Sequence, residues 1–151
     1  MLKLPILLGL FSLIILSSCE EKKKKPLIEK KIVAEQIPQK VSFPSSDGIN
    51  ISANLYHLSN DAPVVLFCHQ ARFNKSEYEE IALHIFEMGY NCLAIDQRSG
   101  GTMGKSINET YVEAKKQNKA TEYLDAEKDI VAAIDYLHNT YNKKIILWGS
   151  S

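Results

Sequence analysis

Apolar and polar positions alternate along this chain in three regimes. Residues 4–16 form a nearly continuous apolar run, and residues 20–31, "EEKKKKPLIEKK", are almost all charged. From residue 40 onward the pattern is that of a folded domain. "KVSFPSSDGINISANLYHL" (40–58) reads as two strands joined by a turn: Ile49, Ile51, Ala53 and Leu55 recur at strand period, and "SSDG" supplies the turn with Gly48 free to take positive φ. "APVVLFCH" (62–69) is a short, continuous apolar run after a proline, as expected of a strand buried on both faces.

A helix follows. In "NKSEYEEIALHIFEMGY", Ser76 and Glu79 have capping-box spacing, Tyr78, Ile81, Ala82 and Ile85 share one face, and Gly89 stands where a helix stops. "NCLAID" (91–96) is the next buried strand, and the order strand, helix, strand predicts a βαβ unit with a parallel pair. Residues 97–120 are polar and rich in Gly, Lys and Asn, which predicts a long surface excursion. A second helix is expected from near Thr121, with Leu124, Val131, Ile134, Leu137 and Tyr141 on its apolar face. "KKIILWGS" then predicts a third buried parallel strand. No internal repeat is present. The fold class is therefore α/β, with a mostly parallel sheet, an antiparallel N-terminal hairpin and flanking helices.

Charge changes this picture little. Eighteen basic and eighteen acidic side chains cancel, so no global field draws in nucleic acid. The N-terminal pattern changes it more. One early Lys3 and an apolar run too short for a comfortable membrane span fit the h-region of an export signal. The run leads into "LSSC", which resembles the lipobox of bacterial lipoproteins, with Ser17 and Ser18 as the small residues before Cys19. That resemblance implies a lipid on Cys19, a membrane partner and a location in the cell envelope, on the periplasmic or cell-surface side. Each buried acyl methylene adds roughly 0.8 kcal/mol to such an anchor. The expected organisation is a signal peptide over 1–18, a polar tether over 19–39 and a domain over 40–151. A hydrated tether of some twenty residues has a coil dimension of about 25 Å. Cys68 and Cys92 sit in strand-like runs, staggered too far along parallel neighbours to bridge, so two buried thiols are expected. No zinc-ligand spacing is present.

The chemistry lies at the ends of the predicted strands. Gly149-Ser150-Ser151 matches the start of a nucleophile elbow, G-x-S-x-G, in which a strand turns sharply into a helix and lifts a serine hydroxyl above the sheet. "FCHQARF" (67–73) follows the first buried parallel strand, where a loop N–H can stabilise the oxyanion of a tetrahedral intermediate. With "HQAR", "GYNCLAIDQRSGG" and "ILWGSS" in this order, residues 41–151 resemble the N-terminal half of an α/β-hydrolase, near its dienelactone-hydrolase-like and serine-peptidase-like branches.

The resemblance implies Ser151 as nucleophile and the Ala71 N–H as an oxyanion donor with Gln70 adjacent. It implies His69 as a support of that loop rather than the base. The usual glycine after this histidine is replaced by Gln70. Asp96 beside Arg98 is expected in a structural ion pair or loop cap, and His57, His84 and His138 at the surface. The carboxylate and histidine of the triad follow the serine in this fold, so both are expected beyond Ser151. The chain then reads as a truncated hydrolase, inactive and poorly soluble alone, with an open apolar edge at its last strand. The intact enzyme would cleave a small-molecule ester, thioester, amide or peptide with no metal or organic cofactor. The alternative is a lipid-anchored protein that keeps the fold and binds a ligand or partner without catalysis. A nucleotide-binding domain is disfavoured, because no glycine-rich phosphate loop follows the first buried strand.

Overall fold

A computed structural model describes residues 38–103 and 106–150. The export-like segment, Cys19, most of the tether and Ser151 lie outside them. Five strands form one sheet: β1 (Gln39–Pro44), β2 (Asn50–Tyr56), β3 (Val64–Cys68), β4 (Asn91–Ile95) and β5 (Ile145–Gly149), in the order β1-β2-β4-β3-β5. The β1–β2 hairpin is antiparallel and β2 runs antiparallel to β4, whereas β4, β3 and β5 are mutually parallel neighbours. The hairpin turns where Gly48 takes a φ of 86°, a conformation that costs other residues a Cβ clash.

The alternation of side chains sorts the core into two layers. Val64, Leu66 and Cys68 of β3 join Ile51, Leu93 and Ile95 on one face, beneath Ala132, Ala133 and Leu137 of helix α3 (Glu127–Tyr141) and Ala114 of α2 (Glu109–Lys116). Val65 and Phe67 face the other way with Cys92 and Ala94, beneath Tyr78, Ala82 and Phe86. Helix α1 (Glu79–Glu87) continues a 3-10 turn at Lys75–Tyr78, and another 3-10 turn, Tyr123–Ala126, leads into α3. Cys68 pairs in register with Ile95 and Cys92 with Val65. The two cysteines therefore differ by three positions along the strands and by face. Both are free thiols, pushed up to about 12 by burial.

Several expectations need correction. The start of the first helix is not capped by Ser76. Asn74 is the cap, its side-chain oxygen accepting the Ser76 N–H at 2.9 Å while its amide reaches the Met103 and Ser106 carbonyls. The buried stripe runs Tyr78, Ala82, Phe86, at i, i+4 and i+8, and Ile81 is exposed. The excursion over 97–120 contains α2, capped by Asn108 and docked on β2, where Thr110 Oγ1 accepts the Ser52 N–H at 2.9 Å. On α3 Leu137 and Tyr141 are buried as expected, together with Ala132, Ala133 and Asp129, whereas Val131 and Ile134, and Leu124 in the preceding 3-10 turn, are exposed. Strand β5 is parallel as expected but is not buried: it forms the sheet edge, with Leu147 58% exposed and Ile146 and Trp148 also exposed.

Candidate active site

The carboxyl ends of β3, β4 and β5 open into a cleft of about 610 Å³, lined by His69, Gln70, Ala71, Gln97 and Ser150 and floored by Ile130 of α3. Ligands of open α/β sheets bind at this end. A second concavity of about 510 Å³ lies between α3 and the start of β5, around Ile134, His138 and Leu147. Its lining residues are largely apolar or exposed, so the strand-end cleft, where polar groups converge, is the better chemical site.

The loop after β3 is held from several directions. His69 is 4% exposed. Its Nδ1 lies 2.8 Å from the Gln70 carbonyl, which can only accept, and its Nε2 accepts the Gln97 N–H at 2.8 Å. Those partners fix the neutral Nδ1–H tautomer. Burial pushes the His69 pKa below the usual histidine value, opposed by the hydrogen bond to Gln70. With both nitrogens engaged, His69 has no lone pair left to take a serine proton. The Gln70 carbonyl also accepts the Phe73 N–H at 3.2 Å. Because a trans peptide is planar, with C=O and N–H opposed, the Ala71 N–H faces away from these partners. Among the described residues it has no hydrogen-bond partner. The Gln70 N–H, in contrast, is taken by Glu77 Oε2 at 3.0 Å.

The positive φ that the loop requires falls at Arg72, at 69°, and not at Gln70. A non-glycine residue there is held by context: the Arg72 N–H donates to Ser99 O at 3.1 Å and its carbonyl accepts from Met103 N at 3.2 Å. The partner loop after β4 is tied down in turn. Asn108 Nδ2 donates to Gln97 O at 2.9 Å and Phe73 O at 3.1 Å, and Gly100 leaves the room for it.

Two buried ion networks fasten this platform. Asp96 does not pair with Arg98. It accepts from Lys75 Nζ at 2.7 Å and from the Lys75 and Glu109 backbone N–H groups, so it caps two segments. Arg98, 1% exposed, lies between Asp129 and Asp47. Its Nη2 donates to Asp129 Oδ1 at 2.7 Å, its Nη1 to Asp47 Oδ2 at 2.6 Å, and its backbone N–H to Asp129 Oδ2 at 2.6 Å. The Arg98 hydrogen bonds hold the Asp47 carboxyl well below the usual carboxylate range. Neither network faces the cleft as a reactive group. His57, His84 and His138 are exposed and lie outside it.

Strand β5 brings the elbow sequence to this edge. Gly149 pairs with Cys68, and the Ser150 N–H reaches the Cys68 carbonyl at 3.4 Å. The Ser150 hydroxyl lies 2.8 Å from Tyr78 Oη and donates to Glu77 Oε1. Ser150 thus stands beside the His69 loop, with the next residue, Ser151, outside the described set. Asn74, Glu77 and Tyr78 are the site residues that the sequence reading missed. Their spacing in "NKSEY" resembles any helix start, and only the tertiary contacts distinguish them.

No family model matches this chain, and none of the curated proteins matches it. Solved structures do. The DcsB complex with its substrate analogue aligns with a TM-score of 0.56 at 21% identity, over 76% of this chain and 37% of that one. The Pyrococcus furiosus esterase Pf2001 aligns with a TM-score of 0.52 at 22% identity, over 80% of this chain and 42% of that one. A thermostable carboxyl esterase from Bacillus coagulans in complex with glycerol gives 0.54 at 18% identity, over 72% and 34%. The chain spans well under half the length of each. With three parallel strands behind an antiparallel hairpin, helices on both faces and a cleft at the strand ends, this chain has the α/β-hydrolase fold.

Proposed function

We propose that this chain forms the N-terminal part of a serine hydrolase that cleaves an ester, thioester or amide through an acyl-enzyme on Ser151. The observation that carries the reading is the pairing of β5 beside β3. It delivers Gly149 and Ser150 to the mouth of the same cleft in which the Ala71 N–H has no partner among the described residues. Attack by Ser151 Oγ on a carbonyl carbon would place the developing oxyanion within reach of that N–H and of the N–H following the serine. Collapse of the intermediate expels the alcohol, thiol or amine, and water releases the acid in the second half-reaction. The serine proton needs a base, and His69 cannot serve, so the triad histidine and its carboxylate are assigned to chain beyond Ser151. The limited span of this chain against its structural neighbours supports that assignment.

The test is fluorophosphonate labelling of the product of the complete reading frame. Labelling on the peptide containing Ser151, abolished by S151A, is expected; a folded protein with no label, or a label elsewhere, overturns the reading. Under this proposal residues 1–151 alone remain unlabelled.

We also propose that Cys19 carries the lipid implied by the lipobox resemblance and anchors the enzyme to a cell-envelope membrane. Metabolic incorporation of an alkyne fatty acid, lost in C19A together with membrane fractionation, is the expected result. Incorporation that survives C19A contradicts it.

A further inference from the structure

Glu77 joins the two segments on which the proposed chemistry depends. Its Oε2 accepts the Gln70 N–H at 3.0 Å, and its Oε1 accepts the Ser150 hydroxyl proton. Gln70 belongs to the loop after β3, and Ser150 follows β5. Glu77 itself lies in the 3-10 turn at Lys75–Tyr78, which the Asn74 cap and the bond from Lys75 N to Asp96 at 2.8 Å hold in place. The carboxylate therefore bridges the loop after β3 and the residue that follows β5 from an anchored position. Proton accounting supports the bridge. A carboxylate only accepts, so the single Ser150 proton goes to Glu77. That leaves Tyr78 Oη to donate to Ser150 Oγ or to the Cys68 carbonyl at 3.0 Å.

The loop carries two successive N–H groups that a substrate oxygen could seek, those of Gln70 and Ala71. By taking the first, Glu77 leaves only the second. It also holds the His69–Gln70 peptide, which adjoins the Gln70–Ala71 peptide whose carbonyl is held by His69 and Phe73.

We propose that Glu77 is a positioning residue: its carboxylate sets the oxyanion loop against the elbow, so that the Ala71 N–H meets the oxygen of the tetrahedral species. This inference rests on the serine-hydrolase reading above. Glu77 acts through hydrogen bonds and not through its charge, since a negative charge beside a developing oxyanion would by itself slow the reaction.

The experiment follows fluorophosphonate labelling kinetics in the complete reading-frame product for wild type, E77A, E77Q and E77D. In the labelling step the Ser151 Oγ–P bond forms as fluoride leaves and the hydroxyl proton passes to the base. A misplaced donor costs this step, not the prior encounter. E77A is expected to lower the limiting labelling rate by on the order of ten- to a hundred-fold, the scale of a small misplacement in an active site, with the half-saturating probe concentration changed by less than about two-fold. E77Q is expected to recover most of that loss. Its amide oxygen can accept the Gln70 N–H and its NH₂ can donate to Ser150 Oγ, freeing the Ser150 proton for Tyr78. E77D keeps the charge but is one methylene too short to reach both partners, and should lose rate as E77A does.

Four results overturn the proposal: E77A labelling like wild type, E77Q losing as much as E77A, both neutral variants gaining rate, or an effect confined to half-saturation. Should E77A fail to fold, the order E77Q above E77D decides the matter. Wild type that labels while all variants match it sinks this inference alone. Wild type that never labels sinks the serine-hydrolase reading, and this inference with it.

Discussion

Replacing His69 with alanine separates a loop support from a catalytic base. The imidazole is buried, and two backbone groups depend on it: the Gln97 N–H, at 2.8 Å from Nε2, and the Gln70 carbonyl, at 2.8 Å from Nδ1. Each buried group left without a partner costs about 1–3 kcal/mol. Gln97 is buried and takes a full penalty, whereas Gln70 is only half-buried and water can replace part of its loss. Asn108 keeps its bonds to Gln97 O and Phe73 O, so its lost contact with Nε2 adds little. The sum is about 3 kcal/mol, to be read as a shift in the urea midpoint at constant m-value.

The pH dependence has a definite sign. Burial lowers the folded-state pKa of His69, so below the ordinary histidine value of about 6.5 the unfolded chain binds a proton that the folded chain resists. This component therefore destabilises wild type progressively as pH falls from about 7.5 toward the folded-state value, and it is missing in H69A. A cost below about 1 kcal/mol, well under the two-group sum, would refute the reasoning, as would an unchanged acid slope in H69A. Under the proposed serine-hydrolase reading, H69A in the complete reading-frame product should still label with fluorophosphonate, more slowly. A folded H69A that never labels would contradict the assignment of His69 as a loop support.

Three further outcomes follow from the same geometry. D129A leaves the buried Arg98 guanidinium with only Asp47 and Ser45, and should cost about 3–5 kcal/mol in chemical denaturation; a loss under about 1 kcal/mol contradicts the network's role. Asp47, held low by Arg98, contributes stability that is present above about pH 4 and is lost as pH falls toward its folded-state value, so D47N should flatten the acid limb of the stability curve, and an unaltered limb refutes this. G100A would set a Cβ 1.9 Å from Asn108 Nδ2 and 2.4 Å from the Phe73 carbonyl, so Asn108 must move; a lowered melting temperature and slower labelling together are expected, and wild-type values for both count against the tight packing.

Much of this fold could be read from residue patterns because its strands are short, apolar and separated by strong punctuation. "VVLFC" and "NCLAI" are buried on both faces, and Gly48 and Gly89 take the positive φ their positions suggested. The pattern failed where burial is achieved by small or polar residues. Helix α2 packs through Thr110 and Ala114, and α3 adds Asp129, Ala132 and Ala133 to the Leu137 and Tyr141 that the pattern marked; none of these additions raises an apolar stripe above its surroundings. The same limit applies at the candidate site. "HQAR" marked the loop, but its conformation is decided at Arg72 and by bonds to Ser99, Gln97 and Glu77, partners that no local spacing singles out. Arg98 likewise pairs with Asp47 and Asp129 in preference to its neighbour Asp96.

The central claim is that a hydroxyl delivered by β5 and an N–H of the His69 loop act on one carbonyl. A crystal structure of the complete reading-frame product carrying a phosphonate adduct tests it most directly. The account predicts phosphorus bonded to Ser151 Oγ, with a phosphonyl oxygen about 2.7–3.1 Å from the Ala71 nitrogen. Phosphorus on another residue, or a phosphonyl oxygen turned away from Ala71 toward other donors, would contradict it.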